Sequence, residues 1–219
     1  MIQVQNIQKN FKQALRTIEV LKDINFKVSS AKSLAIVGPS GSGKTTLLSL
    51  LAGLEKPDFG NIQIANQNIT IMNEAELTKF RANHIGIVFQ QYHLMPHLTA
   101  LENVSLPLEI IRQKNYIQKA KDQLAKVDMD HRFNHLPGQM SGGECQRVAI
   151  ARASITHPSI LLADEPSGNL DALSGQKAMD TLFALAKETT LILVTHNTNL
   201  ADRCDNKMQI SNGCCIQLF

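Results

Sequence analysis

The sequence predicts an α/β fold, and three observations carry that prediction. Four short runs, residues 33–37, 85–89, 160–163 and 191–194, are almost uninterruptedly apolar, the pattern of strands buried on both faces of a parallel sheet. The first residues of the chain instead alternate apolar and polar, as half-exposed antiparallel strands do. Between Gln91 and Pro158 no strand-like run occurs and the spacing becomes helical. The expectation is a core around a parallel sheet, an N-terminal antiparallel β subdomain and an inserted α-helical subdomain.

Taken in order, Ile2, Val4 and Ile7 and then Ile24, Phe26 and Val28 supply the two alternating pieces. Ser33-Leu34-Ala35-Ile36-Val37 is a buried strand ending on Gly38, and residues 45–51 continue as a helix. Ile85-Gly86-Ile87-Val88-Phe89 is the next buried strand, followed by helical patterns over residues 116–127 and 143–154. Ile160-Leu161-Leu162-Ala163 and Leu191-Ile192-Leu193-Val194 complete the set. The end of the chain reads as a hairpin around Asn212-Gly213.

With 219 residues the chain has room for one large domain spanning residues 1–219. Its 43% hydrophobic and 19% charged content are those of a globular protein. A net charge of +3, with no basic run, argues for no nucleic-acid partner. No apolar stretch approaches the roughly 18 residues of a membrane span, and the N-terminus has no charged segment leading into an apolar one, so the chain is expected to be neither inserted nor exported by its own sequence. Cys145, Cys204, Cys214 and Cys215 lack metal-ligand spacing and are expected as reduced thiols.

Gly38-Pro39-Ser40-Gly41-Ser42-Gly43-Lys44-Thr45-Thr46 fits a phosphate-binding loop, with a buried strand before it and a helix after it. Glycines let the backbone turn its N–H groups inward, and the helix start favours negative charge. Lys44 is expected on the β- and γ-phosphates and the Thr45 hydroxyl on Mg²⁺. This makes the core a P-loop NTPase core. Residues 1–90 and 159–219 form the nucleotide-binding part with the β subdomain, and residues 91–158 the helical subdomain.

The buried run at 160–163 ends on Asp164-Glu165, where open α/β sheets bind ligands. Asp164 is placed to hold Mg²⁺ through its water shell. Glu165 is then available to orient or deprotonate a water attacking the γ-phosphate.

A second helix start, Ser141-Gly142-Gly143-Glu144, has the spacing of a capping box and could be only a well-capped helix. Read in order with the phosphate loop, Gln90, Asp164-Glu165, Gly168-Asn169-Leu170-Asp171 and His196, however, it resembles the nucleotide-binding subunit of an ABC transporter over essentially the whole chain. The resemblance implies that Gln90 links Mg²⁺ and the attacking water to a membrane partner, with Gln91 adjacent as a one-residue ambiguity. It implies that Asp171 communicates across a dimer, that His196 contacts the γ-phosphate, and that Phe11 stacks on adenine where the family more often has Tyr. A core phenylalanine is the competing reading of Phe11. Met140 and Glu144 stand where the family commonly has Leu and Gln. The implied arrangement is a head-to-tail pair of copies, each ATP lying between one subunit's phosphate loop and the other's signature, residues 140–144.

Residues 92–104 and 130–137 are similar to the lipoprotein-release and macrolide-exporter branch. That implies an integral membrane transporter subunit as partner, separate because the chain ends near Phe219, and a peripheral location on the cytoplasmic face of the inner membrane. His93, His97, His131 and His135 are expected at the surface or an interface rather than on a metal. A soluble ABC ATPase acting on DNA or ribosomes and a small-molecule phosphate-loop kinase are the competing classes. The first lacks support from any long coiled-coil insertion or tandem second ATPase, and the second leaves the signature without a role.

Overall fold

β1 (Ile2–Gln13) and β2 (Arg16–Val28) form a long antiparallel pair running from Ile2 opposite Val28 to Gln13 opposite Arg16. The computed structural model describes residues 1–13 and 16–218. The apolar residues of β1 fall at Ile2, Val4 and Ile7, one step out of strict alternation, and all three are buried. A register shift between Val4 and Ile7 absorbs the extra residue. Asn6 takes φ 52 there, its backbone N–H donating to Asn25 Oδ1 and its side chain to Asp23 Oδ1.

β3 (Ser33–Val37) buries Leu34, Ala35 and Ile36, and α1 (Lys44–Leu51) buries Leu47, Leu48, Leu50 and Leu51. β4 (Phe59–Ile64) and β5 (Gln67–Asn68) extend the first pair into an antiparallel sheet of order β2-β1-β4-β5. α2 (Glu74–His84) begins with reciprocal hydrogen bonds between Asn73 and Glu76, a capping-box pattern, and buries Leu77 and Phe80.

Next come β6 (Ile85–Phe89), α3 (Ala100–Ile110), α4 (Tyr116–Ala125), α5 (Gly142–Ser154), β7 (Ile160–Asp164) and α6 (Ala172–Leu185). β6 and β7 are parallel, with Phe89 opposite Asp164. The three helices between them share a core in which Ala100, Val104 and Leu108 of α3 meet Ala120 and Leu124 of α4 and Val148 and Ala151 of α5. The i, i+4 and i, i+3 spacings put each set on one helix face. Gly86 is required where β6 meets α5, since a Cβ there would lie 2.1 Å from Ala153 O.

The chain closes with β8 (Thr190–Val194), α7 (Thr198–Ala201), β9 (Asn206–Ser211) and β10 (Cys214–Leu218). β3 lies between β8 and β9, parallel to both, and β10 returns antiparallel to β9 through Asn212 and Gly213, both at positive φ. Two compact units result, Met1–Arg81 with Thr189–Phe219 and Ala82–Glu188. Among the described residues no helix is long and apolar enough to cross a membrane.

The start of β3 is fixed by Asp205. Its carboxylate accepts from Lys32 Nζ at 2.8 Å, Ser33 N at 2.8 Å and Ser33 Oγ at 2.7 Å. Chiefly through Lys32 and then Ser33, the carboxyl pKa is drawn down from 3.8 to about 2. A carboxylate with a depressed folded-state pKa stabilises above its unfolded value and loses that contribution as pH falls through the folded one. Asp205→Asn is therefore expected to lower the thermal midpoint at neutral pH, with the gap from the parent chain closing between pH 3.8 and about 2 in a pH series of thermal melts.

Candidate functional site

In the first unit, the phosphate-loop residues join β3 to α1. Gly43 is the N-cap of α1 with φ 102, and a Cβ there would lie 2.7 Å from Leu21 Cδ2 and 2.9 Å from Val20 O, so only glycine fits. Gly43 is buried and offers no side-chain acceptor to the first turn. The leading N–H groups of a helix have no internal partners, and such an uncapped start suits a phosphate. Lys44 arches back over the loop, its Nζ donating to Gly38 O and Pro39 O, each at 2.9 Å. Thr45 is exposed, and the Ser42 hydroxyl is buried without a hydrogen-bond partner.

β8 runs beside β3 with Val194 opposite Ile36, and Thr195 N donates to Ile36 O at 3.2 Å. Gly38 and His196 thus each stand two residues past the same pair, and His196 is exposed where the buried strand ends. Phe11 sits on β1 opposite Ile18, 39% exposed, with Lys9 Nζ 5.1 Å from its ring centroid. It is not a core phenylalanine.

In the second unit, the register of β6 and β7 aligns Gln90 with Glu165, each one residue beyond the Phe89–Asp164 pair. Asp164 and Glu165 are half-buried, and Glu165 has φ 45, a left-handed backbone costing a non-glycine residue about 1 kcal/mol or more. Gln90 Nε2 donates to Asn169 Oδ1 at 3.0 Å, and Asn169 Nδ2 donates back to Gln90 O at 3.2 Å. A Cβ on Gly168 would lie 2.7 Å from Gln90 Nε2. The turn after β7 is thereby built around Gln90. Gln91 makes no such contact among the bonds described.

Ser141 is the N-cap of α5, its hydroxyl accepting from Glu144 N at 3.3 Å while Glu144 Oε2 accepts from Ser141 N at 2.7 Å. Arg132 Nε donates to the other Glu144 oxygen at 2.8 Å and Arg132 Nη1 to His135 Nε2 at 3.1 Å. Burial works to raise the Glu144 pKa, but the hydrogen bonds from Ser141 and Arg132 hold it below the usual carboxylate value. Gly142 and Gly143 also have packing reasons. A Cβ on Gly142 would lie 2.8 Å from the Tyr92 hydroxyl, and one on Gly143 2.8 Å from Ser174 Cβ. Asp171 caps α6, Oδ1 accepting from Leu173 N at 3.1 Å and Ser174 N at 3.0 Å, which holds its carboxyl in the charged form.

Each unit thus gathers its own set: residues 38–46 with His196 in one, Gln90, Asp164, Glu165, Asp171 and residues 141–144 in the other. Sequence reasoning gave no role to Asn169, Arg132, Tyr92 or Arg152. Asn169 lies inside the Gly168-Asn169-Leu170-Asp171 motif, but nothing in that motif points to Gln90. Gly43→Ala is expected to lower both the thermal midpoint and nucleotide affinity, since the added Cβ meets Val20 O and the left-handed backbone disfavours it. Calorimetric melts and equilibrium binding of a fluorescent ATP analogue check the pair of effects.

Residues 21–168 match the ABC transporter family. A lipoprotein-releasing system ATP-binding protein LolD of Cytophaga hutchinsonii is 46% identical, over 91% of this chain and 93% of its own length. An uncharacterized ABC transporter ATP-binding protein, YbbA of Escherichia coli, is 43% identical over 97% of this chain and 95% of its own. Among solved structures, a dimeric post-hydrolysis ATP-binding cassette bound to ADP and Pi superposes with a TM-score of 0.91 at 37% identity, over 100% of this chain and 99% of that one.

Proposed function

The chain belongs to the ABC transporter family as an ATPase subunit, and on that premise we propose that it pairs head to tail with a second copy and drives a separate integral membrane subunit. Lipoprotein release or a related export is the task this reading assigns. It places the chain on the cytoplasmic face of the inner membrane, as a peripheral subunit. The observation that carries the proposal is the level alignment of Gln90 and Glu165 past Phe89 and Asp164, beside a turn tied to Gln90 by Asn169.

On this reading the α1 start and Lys44 bind the phosphates of ATP, and Phe11, exposed on β1, stacks on the adenine. Thr45, Asp164 and Gln90 suit Mg²⁺, a hard cation that takes oxygen donors and would offset phosphate charge when bound. Glu165 orients and deprotonates the attacking water, and His196 meets the γ-phosphate. The α5 start, with Ser141, Gly142 and Gly143, serves the nucleotide of the partner copy. Asp171 keeps its α6 cap while facing the dimer partner. The competing reading, a soluble ATPase on DNA or ribosomes, has no observation in its favour.

Glu165→Gln is expected to retain ATP binding while lowering hydrolysis by about 100-fold or more, leaving an ATP-dependent dimer on gel filtration. Unchanged turnover would remove Glu165 from the role of base. Lys44→Ala should weaken nucleotide binding itself. Mixing Ser141→Arg chain with Lys44→Ala chain should restore one competent site per heterodimer, read as ATPase activity absent from either parent. Affinity purification from membranes is expected to bring down an integral membrane protein; ribosomes or DNA in its place would overturn the transporter assignment.

A further inference from the structure

The turn that follows Gln90 is strained; Tyr92 N donates to Phe89 O at 3.3 Å, the His93 ring centroid lies 4.6 Å from that of Phe89, and one side chain takes its carbonyls. Tyr92 and His93 both adopt left-handed backbone, at φ 59 and 46, a conformation that L side chains resist. Arg152, in the last turn of α5, takes the two successive carbonyls of that turn. Its Nη1 donates to His93 O at 2.7 Å and its Nη2 to Tyr92 O at 2.9 Å. A planar guanidinium presents two donors at fixed spacing, which suits adjacent carbonyls in a way an ammonium does not. Burial draws the Arg152 pKa down from its ordinary value.

The other end of the same turn meets the other end of the same helix. The Tyr92 hydroxyl lies where a Cβ on Gly142, the first residue of α5, would come within 2.8 Å. Gly142 and Arg152 are about 15 Å apart along the helix, a distance bridged by the tyrosine ring at one end and the guanidinium at the other. Gln90, two residues before Tyr92, is bonded to Asn169 through both its side chain and its carbonyl. The turn therefore has few ways to move independently of α5.

We propose that Arg152 is a positioning residue for Gln90: its fork clamps the Tyr92–His93 turn in left-handed form and makes Gln90 move as one body with the Ser141-Gly142 start of α5. This rests on the reading of Gln90 and that helix start as parts of the ATP-hydrolysing machinery. A displacement of the segment after Gln90 would then reach the residues that read the nucleotide without loss in a flexible loop.

Arg152→Lys keeps the charge and the stem but not the fork, and so avoids the unfolding that truncation risks. In the purified chain, kcat for ATP is expected to fall about tenfold while KM changes less than about twofold, because the phosphate loop is untouched. Hydrogen exchange should quicken together in residues 89–95 and 141–144, with residues 44–51 keeping their protection. His93→Gly removes the Cβ that makes φ 46 costly, so Arg152→Lys combined with His93→Gly should recover kcat to within about threefold of His93→Gly alone. An unaltered kcat in Arg152→Lys overturns the proposal, as does a loss that His93→Gly leaves unrepaired or faster exchange confined to residues 150–158. Glu165→Gln measured alongside separates the two readings. If it turns over ATP normally, the assignment of the machinery has failed; if it is inactive while Arg152→Lys is normal, only the clamp has.

Discussion

Every α-helix leaves its leading N–H groups without internal partners, and the helices of this chain meet that requirement in different ways. α3 is closed by a capping box of Thr99 and Glu102, α6 by Asp171 and α7 by Asn197. α4 has no side-chain cap, but its N-cap Asn115 is exposed, where solvent can meet the requirement. α1 stands apart, because its N-cap is a buried glycine with nothing to offer. On the proposed reading an anion is the acceptor that this start lacks, with Lys44, here folded back onto Gly38 and Pro39, beside it. α5 is the intermediate case. Ser141 and Glu144 close its box, and Arg132 steadies Glu144, so the start is held in shape while the N–H groups of Gly142 and Gly143 stay outside the box.

Strand register does the rest of the positioning. β7 and β8 are buried along both faces and β3 nearly so, whereas β6, expected to be the same, buries only Gly86 and Val88. Where a strand is buried on both faces it excludes polar side chains, so chemistry collects at the first residues beyond its end. Val194 opposite Ile36 brings out His196 level with Gly38, and Phe89 opposite Asp164 brings out Gln90 level with Glu165. One residue of slip in either pair would turn these side chains to the other face. The apolar content of the strands, which maximises burial, is thus also what sets the geometry of the polar residues.

Those strands were legible in the sequence because their signal is local and strong, and so were the phosphate loop, the Ser141 box and the Asn212-Gly213 hairpin. β4 and β5 were not. Phe59-Gly60-Asn61 breaks the alternation, and only Ile62 and Ile64 of β4 are buried, so pairing with β1 makes the strand rather than its own pattern. The same holds for the outer part of β1 and β2, where Asn10 and Lys12 face Glu19 and Thr17 with little burial. At the site, the phosphate-loop residues and Asp164-Glu165 were readable from the local pattern, and Gln90, Asp171, His196 and Phe11 only through the family resemblance. The supports were not, because Asn169 reaches Gln90 across 79 residues and Arg152 reaches Tyr92 across 60. No local pattern encodes such a contact. Gly142 and Gly143 show the converse difficulty, since packing against Tyr92 and Ser174 would select glycine there with or without a nucleotide.

The contrast between the two helix starts also bears on how a nucleotide could drive motion on the proposed reading. A ligand shifts a two-state equilibrium only by the part of its binding energy that differs between the states. The α1 start and Lys44 belong to one chain and contact the phosphates whether or not a second copy has closed, so their strength sets affinity and leaves the equilibrium where it was. The α5 start contributes only when the partner's nucleotide reaches it. Moving a pair of copies from 1:99 open to 99:1 closed needs about 5.5 kcal/mol, or about 2.7 kcal/mol for each of two nucleotides. One or two hydrogen bonds to a charged phosphate, at about 1.5–3 kcal/mol each, are of that size. A helix start offering two glycine N–H groups and one hydroxyl is therefore sufficient for the switch. A second lysine-bearing loop would be excessive, because contacts much stronger than this would hold the closed pair against reopening after hydrolysis.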